Sequence, residues 1–192
     1  MSRERFDPAT FPLEADLSRA DVRVLYSLCR NKSVVEFGCG GSTVLLANFA
    51  ASVVSYDTSQ DWIERTKYRL AQEKKHACRG IYWYSSVPAP SEMPRADVYF
   101  IDGVPDLRAQ WVSAVIERRL AETIIIHDSR SQIMDSIASC FTYPAVLSLR
   151  TLEYHADGSN LLVIRLGQPV VYENWNLTET EARLPHLPPR SL

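Results

Sequence analysis

The 192-residue sequence lacks the features that mark several large classes of protein. Its four cysteines form no C-x-x-C pair and no zinc-ligand spacing, and it contains neither a G-x-S-x-G element nor a P-loop. No apolar run approaches the length of about 18 residues that a membrane span needs, and the first ten residues show no signal-peptide pattern. We therefore expect a cytoplasmic protein with no membrane partner.

An excess of basic residues is also missing. Lys and Arg number 21 against 23 Asp and Glu, which gives a formal net charge of −2 and predicts no nucleic-acid partner. A hydrophobic content of 46% and a charged content of 23% are typical of a globular protein. We divide the chain into an N-terminal helical segment (residues 1–30), a main domain (31–166) and a proline-containing tail (167–192).

Short apolar runs alternate with amphipathic segments along the chain. The runs predict strands at residues 33–37, 51–56, 81–84, 97–101 and 123–126, and the segments predict helices at 18–30, 42–50, 60–73, 107–120 and 131–139. Two further strand-like runs, 145–154 and 160–166, flank a connection containing Asp157-Gly158, which is a hairpin signal. This order predicts an α/β fold: a Rossmann-like doubly wound sheet, mostly parallel, of seven strands with a C-terminal antiparallel hairpin.

The most informative segment is VVEFGCGGST at residues 34–43, which joins the first predicted strand to a helix. A glycine turn at such a junction lets the backbone approach a ligand closely, and it suits either a dinucleotide or S-adenosylmethionine. Two residues favour the second ligand. The dinucleotide pattern G-x-G-x-x-G requires glycine where Thr43 stands, and an acid, Glu36, lies two residues before the first glycine.

The stretch from Glu36 to Gly40 resembles motif I of the class I S-adenosylmethionine-dependent methyltransferases, and the resemblance extends over about residues 31–166. Among these enzymes the sequence looks like small bacterial members with a GGST-type loop. The resemblance implies S-adenosylmethionine as cofactor, with Asp57, at the end of the second strand, binding the ribose hydroxyls and Thr58 lining the adenine side. The implied cofactor-binding residues are Glu36, Gly38, Gly40, Gly41, Ser42, Thr43, Asp57 and Thr58.

Acidic residues follow two predicted strands that are expected to be neighbours. Asp102 follows the fourth strand and Asp128 the fifth, and open parallel sheets bind ligands at such carboxyl ends. The arrangement is similar to that of metal-dependent O-methyltransferases, which implies a Mg²⁺ site at Asp102, Asp128 and Ser129, although Ser129 stands where an amide or acid is usual. His127 is instead a candidate general base. The candidate catalytic residues are Asp102, His127 and Asp128.

Simpler interpretations of these residues stay open. Asp128 or Ser129 can serve only to cap the following helix, and His127 can be a hydrogen-bonded core histidine. Two arginines near the acids, Arg108 and Arg130, either bind an anionic acceptor or pair with a nearby acid.

These features together favour a methyltransferase that acts on an oxygen of a small-molecule or sugar-like acceptor. The acceptor side can be built from residues 84–95, from the two ends of the chain or by a homodimer partner. One alternative is a non-catalytic domain that binds S-adenosylmethionine or S-adenosylhomocysteine, or that serves in protein interaction. The other, an NAD(P)-dependent oxidoreductase, is disfavoured by Thr43 and by the position of Glu36.

Overall fold

The computed structural model describes residues 6–7, 17–72, 78–127, 146–150 and 161–166. Its strands are β1 Ser33–Phe37, β2 Ser52–Tyr56, β3 Ile81–Tyr84, β4 Val98–Ile101, β5 Thr123–His127, β6 Val146–Arg150 and β7 Leu161–Leu166. Its α-helices are α1 Arg19–Cys29, α2 Gly41–Ala47, α3 Gln60–Gln72 and α4 Pro105–Arg118, and a short 3₁₀ helix covers Pro90–Glu92. In this part of the chain no helix is long and apolar enough to cross a membrane.

The described strands form one sheet in the order β3-β2-β1-β4-β5-β7-β6. The first five strands pair in parallel, whereas β7 pairs antiparallel with both β5 and β6. The predicted α/β fold class, with a mostly parallel sheet and a C-terminal antiparallel pair, is therefore confirmed. The helix predicted at residues 131–139, the connection at 155–159 and the tail 167–192 lie outside the described residues.

Observed helix ends differ from the predicted ones by a few residues. The fourth helix begins at Pro105 rather than at residue 107, because proline needs no hydrogen-bond partner in the first turn and its φ already suits a helix. The second helix ends at Ala47 rather than at residue 50. At the start of α1, Ser18 and Asp21 form a capping box: the Ser18 hydroxyl accepts from the Asp21 amide at 3.1 Å, and the Ser18 amide donates to the Asp21 carboxylate at 3.0 Å.

Helices pack on both faces of the sheet, and each face has its own cluster of buried apolar side chains. On one face Phe37 stacks against Trp111 of α4, with ring centroids 4.5 Å apart. On the other face Val34 packs with Leu25 of α1 and Leu46 of α2. Side chains alternate along a strand, so Glu36 lies on the same face as Val34, towards α2. A carboxylate is thereby placed under the first helix that follows the glycine turn.

Candidate active site

A cavity of about 580 Å³ opens where the parallel strands β1, β2, β4 and β5 end. The glycine turn and Asp57 line one part of it, and Asp102 and His127 line another. Parallel strands present their carboxyl ends at one edge of a sheet, which explains why residues from four separate strands meet here. A volume of this size lies within the usual range of small-molecule sites.

Gly38 allows the turn after β1 to pass directly against the end of β4. Its φ of +92° lies in the region that favours glycine, and its amide donates to the Tyr56 carbonyl at 2.8 Å. A Cβ at this position would lie 2.8 Å from both the Asp102 carbonyl carbon and the Gly103 nitrogen. No side chain fits there, so the glycine is required by the approach of two backbones at the cavity.

Glu36 stabilises the glycine turn through hydrogen bonds to hydroxyl groups. Its side chain is fully buried and accepts three hydroxyl hydrogen bonds: from Ser42 at 2.6 Å, from Thr43 at 2.6 Å and from Ser55 at 2.7 Å. The Thr43 hydroxyl also accepts from the Gly40 amide at 2.9 Å. The carboxylate therefore connects β1 with β2, with the start of α2 and, through Thr43, with the glycine turn.

Glu36 and Thr43 lie behind the glycine turn. Neither residue is among those that line the cavity, because both carboxylate oxygens of Glu36 are turned to the hydroxyl groups behind the turn. Burial raises the pKa of Glu36 to about 7; its hydroxyl partners act in the opposite direction, and the charge of Asp102 adds to the increase. Glu36 thus supports the turn and is close to its protonation equilibrium at neutral pH.

Asp57 is oriented by the backbone around it. One carboxylate oxygen accepts from the Cys39 amide at 3.0 Å and the other from the Ser59 amide at 2.8 Å. Asp57 and the exposed Thr58 both line the cavity, as do Gly38, Gly40, Gly41 and Ser42. A carboxylate oxygen can accept more than one hydrogen bond, so Asp57 can also bind a ligand that carries hydroxyl groups.

Trp62 is a cavity residue that the sequence did not single out as functional. Its indole N–H donates to the Cys39 carbonyl, and a Cβ on Gly40 would lie 3.4 Å from the indole nitrogen. The side chain remains 45% exposed although it lines the cavity. The sequence offered one indication of this: Trp62 is in the first turn of α3, next to Ile63, which with Thr66 forms the buried side of that helix.

At the other part of the cavity Asp102 and His127 are in contact. The His127 Nδ1 lies 3.0 Å from the Asp102 Oδ1, across the paired ends of β4 and β5. The His127 side chain is only 4% exposed, compared with 29% for Asp102. The structure thus brings together two of the three predicted catalytic residues. Asp128, the third, and Ser129 lie outside the described residues.

Arg108 pairs with an acid, which is one of the two alternatives that the sequence left open for it. Its guanidinium lies 3.3 Å from the Asp102 Oδ1, with a side chain that is 5% exposed. It also donates to the backbone carbonyls of Gly103 at 3.0 Å, His127 at 2.6 Å and Asp102 at 3.2 Å. The ends of β4 and β5 are therefore joined by one buried cation.

The described residues contain no cluster of three or more His, Cys, Asp or Glu side chains suited to a metal ion. Of the predicted Mg²⁺ ligands, only Asp102 falls in this part of the chain, and its Oδ1 already contacts both Arg108 and His127. A guanidinium at this distance opposes the approach of a divalent cation. Asp102 therefore fits an ion pair with Arg108 better than it fits a metal site.

No protein-family model matches the sequence, and no curated protein matches it either. Solved structures do resemble it. The methyltransferase PaMTH1 of Podospora anserina, solved with S-adenosylhomocysteine, has a TM-score of 0.57 and 15% identity, over 84% of this chain and 85% of that one. N-methyltransferase NodS of Bradyrhizobium japonicum, also with S-adenosylhomocysteine, has a TM-score of 0.54 and 14% identity, over 77% and 84%.

A third similar structure, precorrin-6y C5,15-methyltransferase of Geobacter metallireducens, has a TM-score of 0.57 and 12% identity, over 80% of this chain and 92% of that one. The names of these proteins give different acceptors, so the likeness does not select one. It establishes the architecture: the chain has the fold of the class I S-adenosylmethionine-dependent methyltransferases.

Proposed function

We propose that this protein binds S-adenosylmethionine and transfers its methyl group to an oxygen of a small-molecule or sugar-like acceptor. The observation that carries the proposal is one cavity with two chemically different parts: the glycine turn with Asp57, and the pair formed by Asp102 and His127. A net charge of −2 supports a small acceptor rather than a nucleic acid.

The first part suits an adenosyl ligand. Gly38 leaves room for close approach, because a Cβ there would clash with backbone, and the neighbouring Gly40, Gly41 and Ser42 also line the cavity. Asp57, held by two backbone amides, would accept hydrogen bonds from the ribose hydroxyls, and Thr58 would line the adenine side. Glu36 and Thr43 would act indirectly by keeping the turn in shape.

The second part suits removal of a proton from a hydroxyl group. S-adenosylmethionine, when bound, supplies an electrophilic methyl group on a positively charged sulfur. The acceptor oxygen forms a bond to that carbon while the carbon–sulfur bond breaks and its electron pair stays on sulfur. His127 would take the hydroxyl proton, and the Asp102 carboxylate beside it would stabilise the resulting imidazolium until the proton passes to water. A catalytic role for Asp128 stays a prediction from the sequence.

No step is assigned to Mg²⁺, because the Asp102 carboxylate already forms an ion pair with Arg108. The chain's own contribution is then positioning and proton removal. A base and a well-oriented acceptor each account for large parts of the rate enhancement in methyl transfer.

Calorimetric titration tests the cofactor. S-adenosylmethionine and S-adenosylhomocysteine are expected to bind and NAD is not, and Asp57→Ala should weaken binding about 10- to 100-fold, since hydrogen bonds to a charged group contribute about 1.5–3 kcal/mol. Asp61→Ala, which removes an exposed acid from the start of α3, is the matched control. Binding of NAD alone, or equal affinity of Asp57→Ala and the wild type, would contradict the proposal.

Catalysis is tested separately by screening alcohols and sugars for acceptor-dependent release of S-adenosylhomocysteine. Turnover is expected to fall strongly in His127→Gln while the affinity for S-adenosylmethionine is retained. Tight binding without turnover on any oxygen acceptor would favour the non-catalytic binding domain instead.

A further inference from the structure

We infer that Arg108 is a positioning residue that fixes Asp102 against His127 and so keeps the neutral His127 ring protonated at Nδ1. The inference rests on the proposed function, in which His127 takes the proton of the acceptor. It assigns to Arg108 a part in the chemistry and not only in joining two strands.

Arg108 contacts both backbone carbonyls and a carboxylate. Its hydrogen bonds to the carbonyls of Gly103, Asp102 and His127 fix the guanidinium with respect to the ends of β4 and β5. Another contact, 3.3 Å from Nη2 to the Asp102 Oδ1, reaches the oxygen that the His127 Nδ1 meets at 3.0 Å. One backbone-anchored cation therefore determines where that carboxylate oxygen lies.

The shared oxygen determines which ring nitrogen carries the proton. An ionised carboxylate has acceptor atoms only, so the hydrogen bond between Asp102 and His127 requires Nδ1–H as the donor. A neutral imidazole has one N–H, and Nε2 then carries the lone pair. This is the tautomer in which a histidine with its Nδ1 turned to an acid can act as a base through Nε2.

Arginine suits this position for a geometric reason. A planar guanidinium donates from several nitrogens at fixed angles, so it can hold carbonyls and a carboxylate simultaneously, whereas lysine provides a single charged point. Asp102 is partly exposed to the cavity, so without Arg108 its carboxylate can turn away from His127. The single Nδ1–H tautomer is then no longer enforced.

Nitrogen-15 NMR of the imidazole rings tests the inference on the full-length protein without any ligand, about two pH units above the ordinary histidine pKa so that the rings are neutral. The His127 signals are assigned by their loss in His127→Gln. In the wild type, Nδ1 is expected to show a directly bonded proton and Nε2 the shift of a bare nitrogen. The Nδ1–H fraction should fall in Arg108→Lys and fall further in Arg108→Gln. Arg118→Gln, at the far end of the same helix, is the matched control and should match the wild type.

Two results would overturn the inference. The first is a wild-type His127 protonated at Nε2. The second is an Arg108→Gln variant that is less stable to urea but has an unchanged His127 tautomer, since that is the pattern of a purely structural arginine. If Arg108→Gln does not fold, Arg108→Lys decides: it keeps the charge but not the planar set of donors, and a His127 Nδ1–H fraction equal to that of the wild type would again overturn the inference.

Failure here is distinguishable from failure of the proposed function. The tautomer is measured without S-adenosylmethionine, whereas the proposed cofactor is tested by calorimetry alone. Normal binding with the wrong tautomer refutes only the part assigned to Arg108, and the correct tautomer without binding refutes only the proposed cofactor.

Discussion

Replacing Glu36 with glutamine should remove a pH dependence from the stability of this protein. The buried carboxyl has a pKa of about 7, against an ordinary value of 4.5. The folded protein therefore holds this proton more tightly than the unfolded chain does. The resulting stabilisation is fully present below the unfolded pKa and is lost as the pH rises through the folded one.

The size of the effect follows from the same two pKa values. One pKa unit corresponds to about 1.4 kcal/mol, so the full difference amounts to about 3 kcal/mol in the free energy of unfolding. Of this, about 2.5 kcal/mol should be lost between about pH 5 and about pH 8.

Glutamine suits the test because the hydroxyl partners can adapt to it. The amide oxygen can accept from Thr43 and Ser55, as one oxygen of Glu36 does now. The amide nitrogen can donate to Ser42, whose hydroxyl is able to reverse its role and accept. The substitution therefore removes the ionisation while retaining the three contacts, and it avoids the cavity that alanine would leave.

Urea denaturation at about pH 5 and about pH 8 provides the measurement. The wild type should lose about 2.5 kcal/mol more than Glu36→Gln over this interval. Glu117→Gln, which removes an exposed acid from α4, is the control and should follow the wild type. Parallel pH dependence of the wild type and Glu36→Gln would refute the argument, because it would mean that burial does not perturb this carboxyl.

Three further predictions concern the cavity. Gly38→Ala should lower the free energy of unfolding in urea by about 2 kcal/mol or more, because residue 38 has a positive φ and a Cβ there would clash with backbone. The control, Gly80→Ala, should lower it by less, because a Cβ at residue 80 would meet only a movable tyrosine side chain. Trp62→Phe removes one hydrogen bond to the turn and should weaken S-adenosylmethionine binding about fivefold, as measured by calorimetry. The control, Trp83→Phe, should bind as the wild type does, and equal affinities of Trp62→Phe and the wild type would contradict the prediction. Binding and turnover should be the same in Mg²⁺ and in EDTA, and a requirement for Mg²⁺ would show that Asp102 is a metal ligand after all.

The central strands of the parallel sheet were predictable because their residues are buried on both faces. The runs that became β4 and β5 are almost wholly apolar, as strands covered by helices on both sides must be. The antiparallel pairing of β6 and β7 was predictable from turn chemistry. Their placement was not, because β7 lies between β5 and β6, and only the energetics of the whole sheet decides where an added hairpin docks.

The site could be predicted only as far as local patterns reach. A glycine motif indicates a turn and an acid that follows a strand indicates a ligand edge, so Gly38, Asp57 and Asp102 were identifiable from the sequence. The contacts of Glu36 were not, because Ser55 comes from another strand and meets it through the parallel register of β1 and β2. Likewise, the partner of Arg108 depends on how the chain after β4 folds back onto the end of β5.

The two acids that flank the glycine turn lie in different environments. Glu36 is fully buried, and the loss of solvent around its charge raises its pKa more than the hydroxyl donors around it lower it. Asp102, on the other side of Gly38, contacts a guanidinium and remains open to the cavity. The charge of Asp102 also raises the pKa of Glu36, so the two acids are electrostatically coupled through the turn that they flank. Protonation of Glu36 therefore relieves its repulsion with Asp102.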